Sequence, residues 1–175
     1  MYLIRPLCLF LLLAGLTWGM SGCLTAPEYD IVPAIEFNKL DVVRYVPPRP
    51  RAPVDTFKII INFKDGDGDL GLTNKEVQAN PTAYNYFLRA FRRVPPNSQF
   101  VEVFPGLYFS QFPLLNGGLD TKPSPLKGDL TLRQDFTLGS PLNPGDEVKF
   151  TVSIKDRAQN QSNMVETNVY VVPPR

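Results

Sequence analysis

Alternation of apolar and polar residues constrains the fold of this chain more than any other feature. It is clearest in segments 57–64, 148–155 and 165–172, and Ile60 is the exception in the first of them because it lies on the polar side. A repeat of two residues sends alternate side chains to opposite faces, as in a β-strand with one buried face. The residues expected to be buried are Phe57, Ile59, Ile61, Phe63, Val148, Phe150, Val152 and Ile154.

Four more segments carry weaker strand patterns. Segment 84–94 has a helical alternative, because Asn80 and Pro81 resemble a helix cap followed by proline at the first helical position. Its alternation, with Phe87 and Phe91 on one side, favours a strand. The other segments are 35–43, 99–104 and 129–138. In segment 165–172, one of the three clearest, the residues expected to face inward are Val165, Thr167, Val169 and Val171.

Clusters of proline, glycine and asparagine, which are typical turn residues, separate these strands. The pattern predicts an all-β fold: a single antiparallel immunoglobulin-like sandwich of about seven strands over residues 34–175. The 18 prolines and 12 glycines among 175 residues stay below the content of roughly 25–30% that indicates disorder. No segment of this domain has a helical repeat of useful length.

The N-terminal segment predicts export. A short basic start precedes an apolar stretch over residues 7–16, and about ten residues are too few to span a bilayer, which needs roughly 20. Residues 20–23, Met-Ser-Gly-Cys, resemble the lipobox of bacterial lipoproteins. The resemblance implies a signal peptide over residues 1–22, a lipid on the Cys23 sulfur and a polar tether over residues 23–33. The alternative is an ordinary secretory signal followed by a cysteine by chance.

Lipidation of Cys23 would place the protein in the cell envelope, anchored at the outer membrane. One acyl chain, such as a palmitate, holds a protein only marginally, and each buried methylene adds about 0.8 kcal/mol. The two or three chains of a lipoprotein would therefore give a stable anchor. The membrane is accordingly the first expected partner.

Composition excludes several kinds of site. The chain has no histidine and two cysteines, of which Cys8 leaves with the signal peptide and Cys23 is consumed by lipid. The processed chain would then lack the groups needed for Ser-His and Cys-His catalysis, imidazole or thiolate zinc sites, and disulfides. A net charge of +1 argues against a nucleic-acid partner. We identify no catalytic residues in the sequence.

One loop has the composition of a cation site. Asp65, Asp67 and Asp69 occupy alternate positions directly after the first strongly alternating strand. Carboxylates so close together repel one another unless a cation lies among them, and Ca²⁺ prefers several oxygen ligands. Glu76 lies at position 12 when Asp65 is position 1, which is the place of the last, bidentate ligand in an EF-hand loop. The sequence therefore predicts a Ca²⁺ site formed by these four residues.

This acidic loop departs from the EF-hand in two ways. Leu70 stands at the sixth position, where an EF-hand has glycine, and a strand precedes the loop where an EF-hand has a helix. We expect a calcium loop on a β-scaffold, with a Kd of roughly 10⁻⁴ to 10⁻³ M as in extracellular modules. In the alternative interpretation the Asp-Gly pairs simply form turns, with carboxylates that cap their own backbone and face water.

A second polar loop, residues 156–163, joins the last two predicted strands. In an immunoglobulin-like order, the loop after the second strand and the loop before the last strand emerge at the same end of the sandwich. Asp156 and Asn160 are therefore expected near Asp65, as additional ligands or as a hydrogen-bonded brace. A self-capped turn is favoured over direct ligation.

The segments FKDGDGDLGL (63–72) and SIKDRAQNQSNMVETNVYVV (153–172), together with the lipobox, resemble uncharacterised envelope lipoproteins of Bacteroidota. The second segment also resembles the closing strands of bacterial immunoglobulin-like domains. The resemblance implies location and fold, and it brings no activity with it. Surface lipoproteins of that group often have acidic residues directly after the cysteine, whereas here Leu24–Pro27 comes first. Periplasmic and outward orientations both stay open.

Three classes of function follow from these features. The leading one is a lipid-anchored, non-catalytic binding or assembly module whose loops contact a glycan, a peptide or an envelope protein. The first alternative is a glycosidase-like hydrolase that pairs Asp65 or Asp69 with Glu76 or Asp156. It requires carboxyl groups about 5–5.5 Å or 6.5–9.5 Å apart in a substrate groove. The second alternative is a purely structural spacer.

Overall fold

The computed structural model describes residues 27–96, 99–115 and 123–174. Residues 1–26, which include the predicted signal peptide and Cys23, lie outside the described residues. The described chain contains nine strands and one short helix. These elements are β1 (Ala34–Tyr45), β2 (Val54–Asp65), α1 (Asn74–Ala79), β3 (Tyr86–Arg93), β4 (Val101–Val103), β5 (Phe109–Ser110), β6 (Leu126–Thr137), β7 (Glu147–Ile154), β8 (Val165–Glu166) and β9 (Tyr170–Val171).

Two antiparallel sheets form the domain. The first has the order β1-β2-β6, and the second has the order β4-β3-β7-β8, with β5 paired to β3 and β9 paired to β7. Strands β1, β2 and β6 occupy the positions of strands A, B and E of an immunoglobulin-like sandwich. Strands β3, β7 and β8 occupy the positions of strands C, F and G. The predicted all-β sandwich is therefore confirmed.

The core lies between the two sheets and follows the predicted alternation. All eight residues expected to be buried on β2 and β7 are buried. The rings of Phe136 and Tyr170 meet the ring of Phe57 edge-on, with centroids 5.4 and 5.3 Å away. Such edge-to-face contacts add about 0.5–1.5 kcal/mol each to the burial of the rings. The same inward register carries on to both ends of β2 and places its terminal residues inside the domain.

The predicted strand over 165–172 is wrong in its second half. Two short strands, β8 and β9, replace it, and Val169 and Val171 are exposed while Val172 is buried. The change of face occurs at Thr167, whose hydroxyl accepts a hydrogen bond from Phe150 N–H at 3.0 Å and donates one to its neighbour's carbonyl. A side chain that takes over a backbone bond interrupts the ladder.

Two elements were not expected from the sequence. The helix α1 contradicts the expectation of no helix in the domain, and it forms because Thr73 and Glu76 make a reciprocal capping box. Asn80 lies at the C-terminal end of this helix, so the helical alternative for 84–94 is wrong and the strand is confirmed as β3. The other missed element is β5, which is too short to carry a pattern.

Candidate metal centre

The last residue of β2 begins the candidate metal centre. Asp65 takes the inward position after Phe63, so the strand delivers its carboxylate to the end of the core and not to solvent. The side chain is 0% exposed, and neither carboxylate oxygen has a hydrogen-bond partner within the described residues. An ionised carboxylate in such a place is strongly unfavourable unless a proton or a cation compensates it.

The loop after Asp65 is packed tightly against other segments. A Cβ at Gly66 would lie 2.3 Å from the backbone oxygen of Tyr29, and one at Gly68 would lie 2.1 Å from that of Ser124. Gly68 also has φ of +72°, where L side chains are strained. The glycines therefore allow close approach of neighbouring backbone and keep the acidic residues on a fixed path.

Leu70 explains why the loop departs from the EF-hand pattern. Its side chain is fully buried in the core, and its carbonyl accepts a hydrogen bond from Leu115 N–H at 3.3 Å. The next residue, Gly71, has φ of +97°, and its Cβ position lies 2.2 Å from the oxygen of Pro113. An apolar anchor thus stands at the sixth position, and it fastens the loop to the sandwich.

Two more acidic residues of this loop carry buried oxygens. The Oδ1 atoms of Asp67 and Asp69 have no hydrogen-bond partner in the part of the chain that the structure describes. The other oxygen of Asp69, Oδ2, accepts a hydrogen bond from the backbone N–H of Ala158 at 3.0 Å. Because Ala158 belongs to the connection between β7 and β8, this bond joins the two polar loops.

Asp156 completes the group from the second loop. Its carboxylate is buried, and one oxygen each from Asp65, Asp69 and Asp156 lie within 4.8 Å of one another. Asn160 donates its backbone N–H to Asp156 Oδ1 at 2.7 Å and its side-chain amide to Oδ2 at 2.8 Å. The expected meeting of the two loops is confirmed. The bonds from Asn160 form the self-capped turn that the sequence favoured, and they fix the position of Asp156.

The electrostatics of this group favour an added positive charge. Burial, followed by repulsion from Asp67, Asp69 and Asp156, raises the pKa of Asp65 from 3.8 to about 7. The nearby amide of Gly68 opposes this shift, although it does not meet hydrogen-bond geometry with either oxygen. Burial and the neighbouring carboxylates also raise the pKa of Asp69, against the effects of Ala158 N–H and the Arg157 charge.

Glu76 binds Thr73 and Arg157. Its Oε2 accepts hydrogen bonds from the backbone N–H and the hydroxyl of Thr73 at 2.8 and 2.7 Å, and its Oε1 accepts one from Arg157 Nε at 3.0 Å. These contacts, led by the Thr73 N–H, lower the pKa of Glu76. The group of converging carboxylates found among the described residues includes neither Glu76 nor Asp67. The EF-hand spacing therefore reflects a helix cap here.

The sequence pattern missed the residues that join the start of β1 to this end of the sandwich. Asn163 accepts a hydrogen bond from Ile35 N–H and donates one to Ile35 carbonyl, each at 2.8 Å. The chain before β1 also passes over the acidic loop, where Tyr29 and Asp30 contact Gly66. Only the excess of amide residues in segment 156–163 hinted at such a role.

None of the helices in the described part of the chain is long and apolar enough to cross a membrane. Comparison of the chain with protein-family models, with curated proteins and with solved structures finds no match. The residues of the site offer a small, oxygen-only group of carboxylates, which suits Ca²⁺, Mg²⁺ or Mn²⁺ and not the softer metals.

Proposed function

We propose that this protein is a lipid-anchored, non-catalytic binding or assembly module of the bacterial cell envelope whose loop end is stabilised by Ca²⁺. The observation that carries the proposal is the carboxylate of Asp65. It is fully buried, has no hydrogen-bond partner among the described residues, and lies beside the half-buried carboxylate of Asp69 and the buried carboxylate of Asp156.

A cation explains this arrangement better than turn formation does. In a simple Asp-Gly turn the carboxylate caps its own backbone or faces water, whereas Asp65 does neither. Asp67 and Asp69 each add a buried oxygen without a partner among the described residues. Three carboxylates, those of Asp65, Asp69 and Asp156, lie close enough together to share one cation. A bound divalent cation would remove both the desolvation cost and the mutual repulsion.

Calcium fits better than magnesium among the hard cations. Ca²⁺ accepts six to eight oxygen ligands in flexible geometry, while Mg²⁺ demands a near-ideal octahedron and usually keeps several waters. The carboxylates come from two loops, and Asp69 and Asp156 already accept hydrogen bonds on some of their oxygens. Such a mixed, partly committed ligand set favours the more tolerant ion.

The binding role rests on where the polar chemistry lies. The acidic loop, the 156–163 loop and the start of the domain meet at one end of the sandwich. A cation there would order three segments at once and present them to a glycan, a peptide or an envelope protein. The hydrolase alternative gains no support from Glu76, because both of its carboxylate oxygens accept hydrogen bonds from Thr73 and Arg157.

The test is thermal unfolding of the chain without residues 1–22 and with Cys23→Ala, in Ca²⁺, in Mg²⁺ and in chelator. Binding to the folded state alone adds RT ln(1 + [L]/Kd), about 2.7 kcal/mol at a hundredfold excess of ligand. We expect Ca²⁺ to raise the Tm and Asp65→Asn to abolish the rise, with Glu36→Gln as the control for an exposed carboxylate.

Either of two results would contradict the proposal. An unchanged Tm at about 10 mM Ca²⁺, a hundredfold excess for a Kd of about 10⁻⁴ M, would leave the loop without a cation. Recovery of the wild-type chain in the soluble fraction of cells would contradict the anchor, because only the chain without residues 1–22 and with Cys23→Ala should appear there.

A further inference from the structure

Strand β6 forms a long open edge of the first sheet. It runs over 12 residues and pairs with β2 along its whole length. Within residues 27–96, 99–115 and 123–174, β2 is the only strand that pairs with β6. The N–H and C=O groups of alternate β6 residues therefore point away from the sheet, where they can bind another strand.

The opposite edge of the same sheet is built differently. Strand β1 also has 12 residues, but its register with β2 is broken by an irregularity between Phe37 and Lys39, and it lies against β8. Bulges of this kind discourage edge-to-edge pairing. Strand β6 has no proline and no register shift against β2, so it keeps the flat edge that a further strand requires.

The inner face of β6 is also incompletely covered. Its leucines Leu130 and Leu132 are only half-buried, whereas Ile61 and Ile59, their register partners on β2, are fully buried. A strand added beside β6 would place its own inward side chains next to these leucines and bury them further. Apolar burial would then contribute in addition to the backbone hydrogen bonds.

We propose that β6 pairs antiparallel with β6 of a second copy of this chain, about a two-fold axis through Thr131. The exposed residues of β6 are Lys127, Asp129, Thr131, Arg133 and Asp135. This axis places Asp129 of each copy opposite Arg133 of the other, and Lys127 of each opposite Asp135 of the other. Directly opposed charges of opposite sign stabilise a strand pair.

The charge pattern selects this register over its neighbours. An axis at Leu130 would place Lys127 opposite Arg133, and an axis at Leu132 would place Asp129 opposite Asp135. Both shifts set like charges against each other, which destabilises the pair. A register that joins residues of opposite parity would turn the apolar face of one copy to solvent.

Within one chain, the register of β6 on β2 places Lys127 and Arg133 opposite other cations. Lys127 lies opposite Lys64 of β2, and Arg133 lies opposite Lys58. Among the described residues, neither Lys127 nor Arg133 forms an ion pair. A second copy supplies each of them with a carboxylate.

Side chains of β2 fix the positions of the Asp129 and Asp135 carboxylates. Asp129 Oδ1 accepts a hydrogen bond from Asn62, and Asp135 Oδ1 accepts one from Thr56. Each carboxylate keeps its second oxygen for the partner copy.

Cross-linking of the full-length chain in cells tests the pairing. Thr131→Cys places a thiol on the proposed axis, and a short thiol cross-linker should then give a covalent dimer. The matched control is Lys39→Cys, which places a thiol at an exposed position on the other edge of the sheet. Both variant chains retain Cys23, and the Lys39→Cys chain should stay monomeric. Equal dimer yields from the two variants would overturn the proposal.

A charge exchange tests the register. In the Thr131→Cys chain, Arg133→Asp should lower the association constant about tenfold or more, because each opposed pair occurs twice and attraction becomes repulsion. Adding Asp129→Arg should restore the dimer. A dimer insensitive to Arg133→Asp, or a loss that Asp129→Arg fails to rescue while all variants keep their unfolding transition, would overturn it.

Discussion

Strand β2 carries a buried aspartate at each end, and the two are compensated in opposite ways. Asp55 and Asp65 are both 0% exposed and both face inward. Asp55 accepts hydrogen bonds from Arg44 Nε on Oδ1 at 2.7 Å and from Arg44 Nη2 on Oδ2 at 2.8 Å. Asp65 has no such partner among the described residues.

The register of the first sheet explains the difference. Arg44 of β1 lies directly opposite Asp55, so the neighbouring strand supplies the positive charge. Strand β1 pairs with β2 only as far as Lys64, and the residue opposite Asp65 on β6 is the apolar Leu126. The chain thus supplies a guanidinium at one end of β2, and at the other end it gathers carboxylates that require a charge from outside.

The largest expected effect is at the compensated end. Arg44→Met should destabilise the domain by about 3–5 kcal/mol, because it leaves a buried carboxylate without a partner. It also removes the bonds from Nη1 to the carbonyls of Pro173 and Pro174. Urea unfolding at neutral pH measures the change in free energy.

The matched control is the double variant Arg44→Met with Asp55→Val, which should recover much of the loss, since replacing both members of a buried pair by apolar residues is often close to neutral. A loss below about 1 kcal/mol for the single variant, the size expected of an exposed pair, would mean that the two aspartates are not as different as their contacts indicate.

The next effect is a dependence on pH at the uncompensated end. The pKa of Asp65 is about 7 in the folded chain and about 3.9 when unfolded. The metal-free folded state therefore holds a proton that the unfolded state has released. Its stabilisation is complete below pH 4 and is lost as the pH rises to 7. A single proton limits the fall to about 1.4 kcal/mol per pH unit.

Unfolding in chelator between pH 4 and pH 8 measures this slope. The comparison with Asp65→Asn isolates it, because that variant keeps the other titrating groups and should lack this contribution. Saturating Ca²⁺ should flatten the wild-type curve, since a bound cation favours the ionised carboxylate. Identical slopes for both chains in chelator would contradict the raised pKa.

The smallest effect concerns the carboxylate that lies outside the group. Thr73→Ala should cost about 1 kcal/mol through loss of the helix cap, and Glu76→Gln should cost no more than about 1 kcal/mol through its partly exposed pair with Arg157. Both variants should keep the full Ca²⁺-dependent rise in Tm. Loss of that rise in Glu76→Gln would restore the EF-hand interpretation.

The sheets and the core could be predicted from the sequence because they depend on a period of two. Extending the inward set of β2 by one step in each direction, beyond Phe57 and Phe63, would also have identified Asp55 and Asp65 as buried. The place where the two polar loops meet followed from strand order alone. The acidic pattern of Asp65, Asp67 and Asp69 therefore identified the end of the sandwich at which the candidate site lies.

Other features depend on contacts that no local pattern encodes. The pairing of Arg44 with Asp55 requires the register of β1 on β2, and the capping box redirects Glu76 through two short-range bonds to Thr73. The change of face at Thr167 arises from one hydroxyl that replaces a backbone partner. Spacing alone could not tell a twelfth-position ligand from a helix cap.

The contact between the tether and the acidic loop has a mechanical consequence. For a chain held at a membrane through Cys23, tension along residues 23–33 enters the domain at Tyr29 and Asp30, which lie against Gly66. The bonds between Ile35 and Asn163 carry the same load into the loop that holds Asp156. A cation that holds these two loops together would raise the force at which the domain begins to unfold. The ion would then stabilise the domain against tension at the point where the chain enters it.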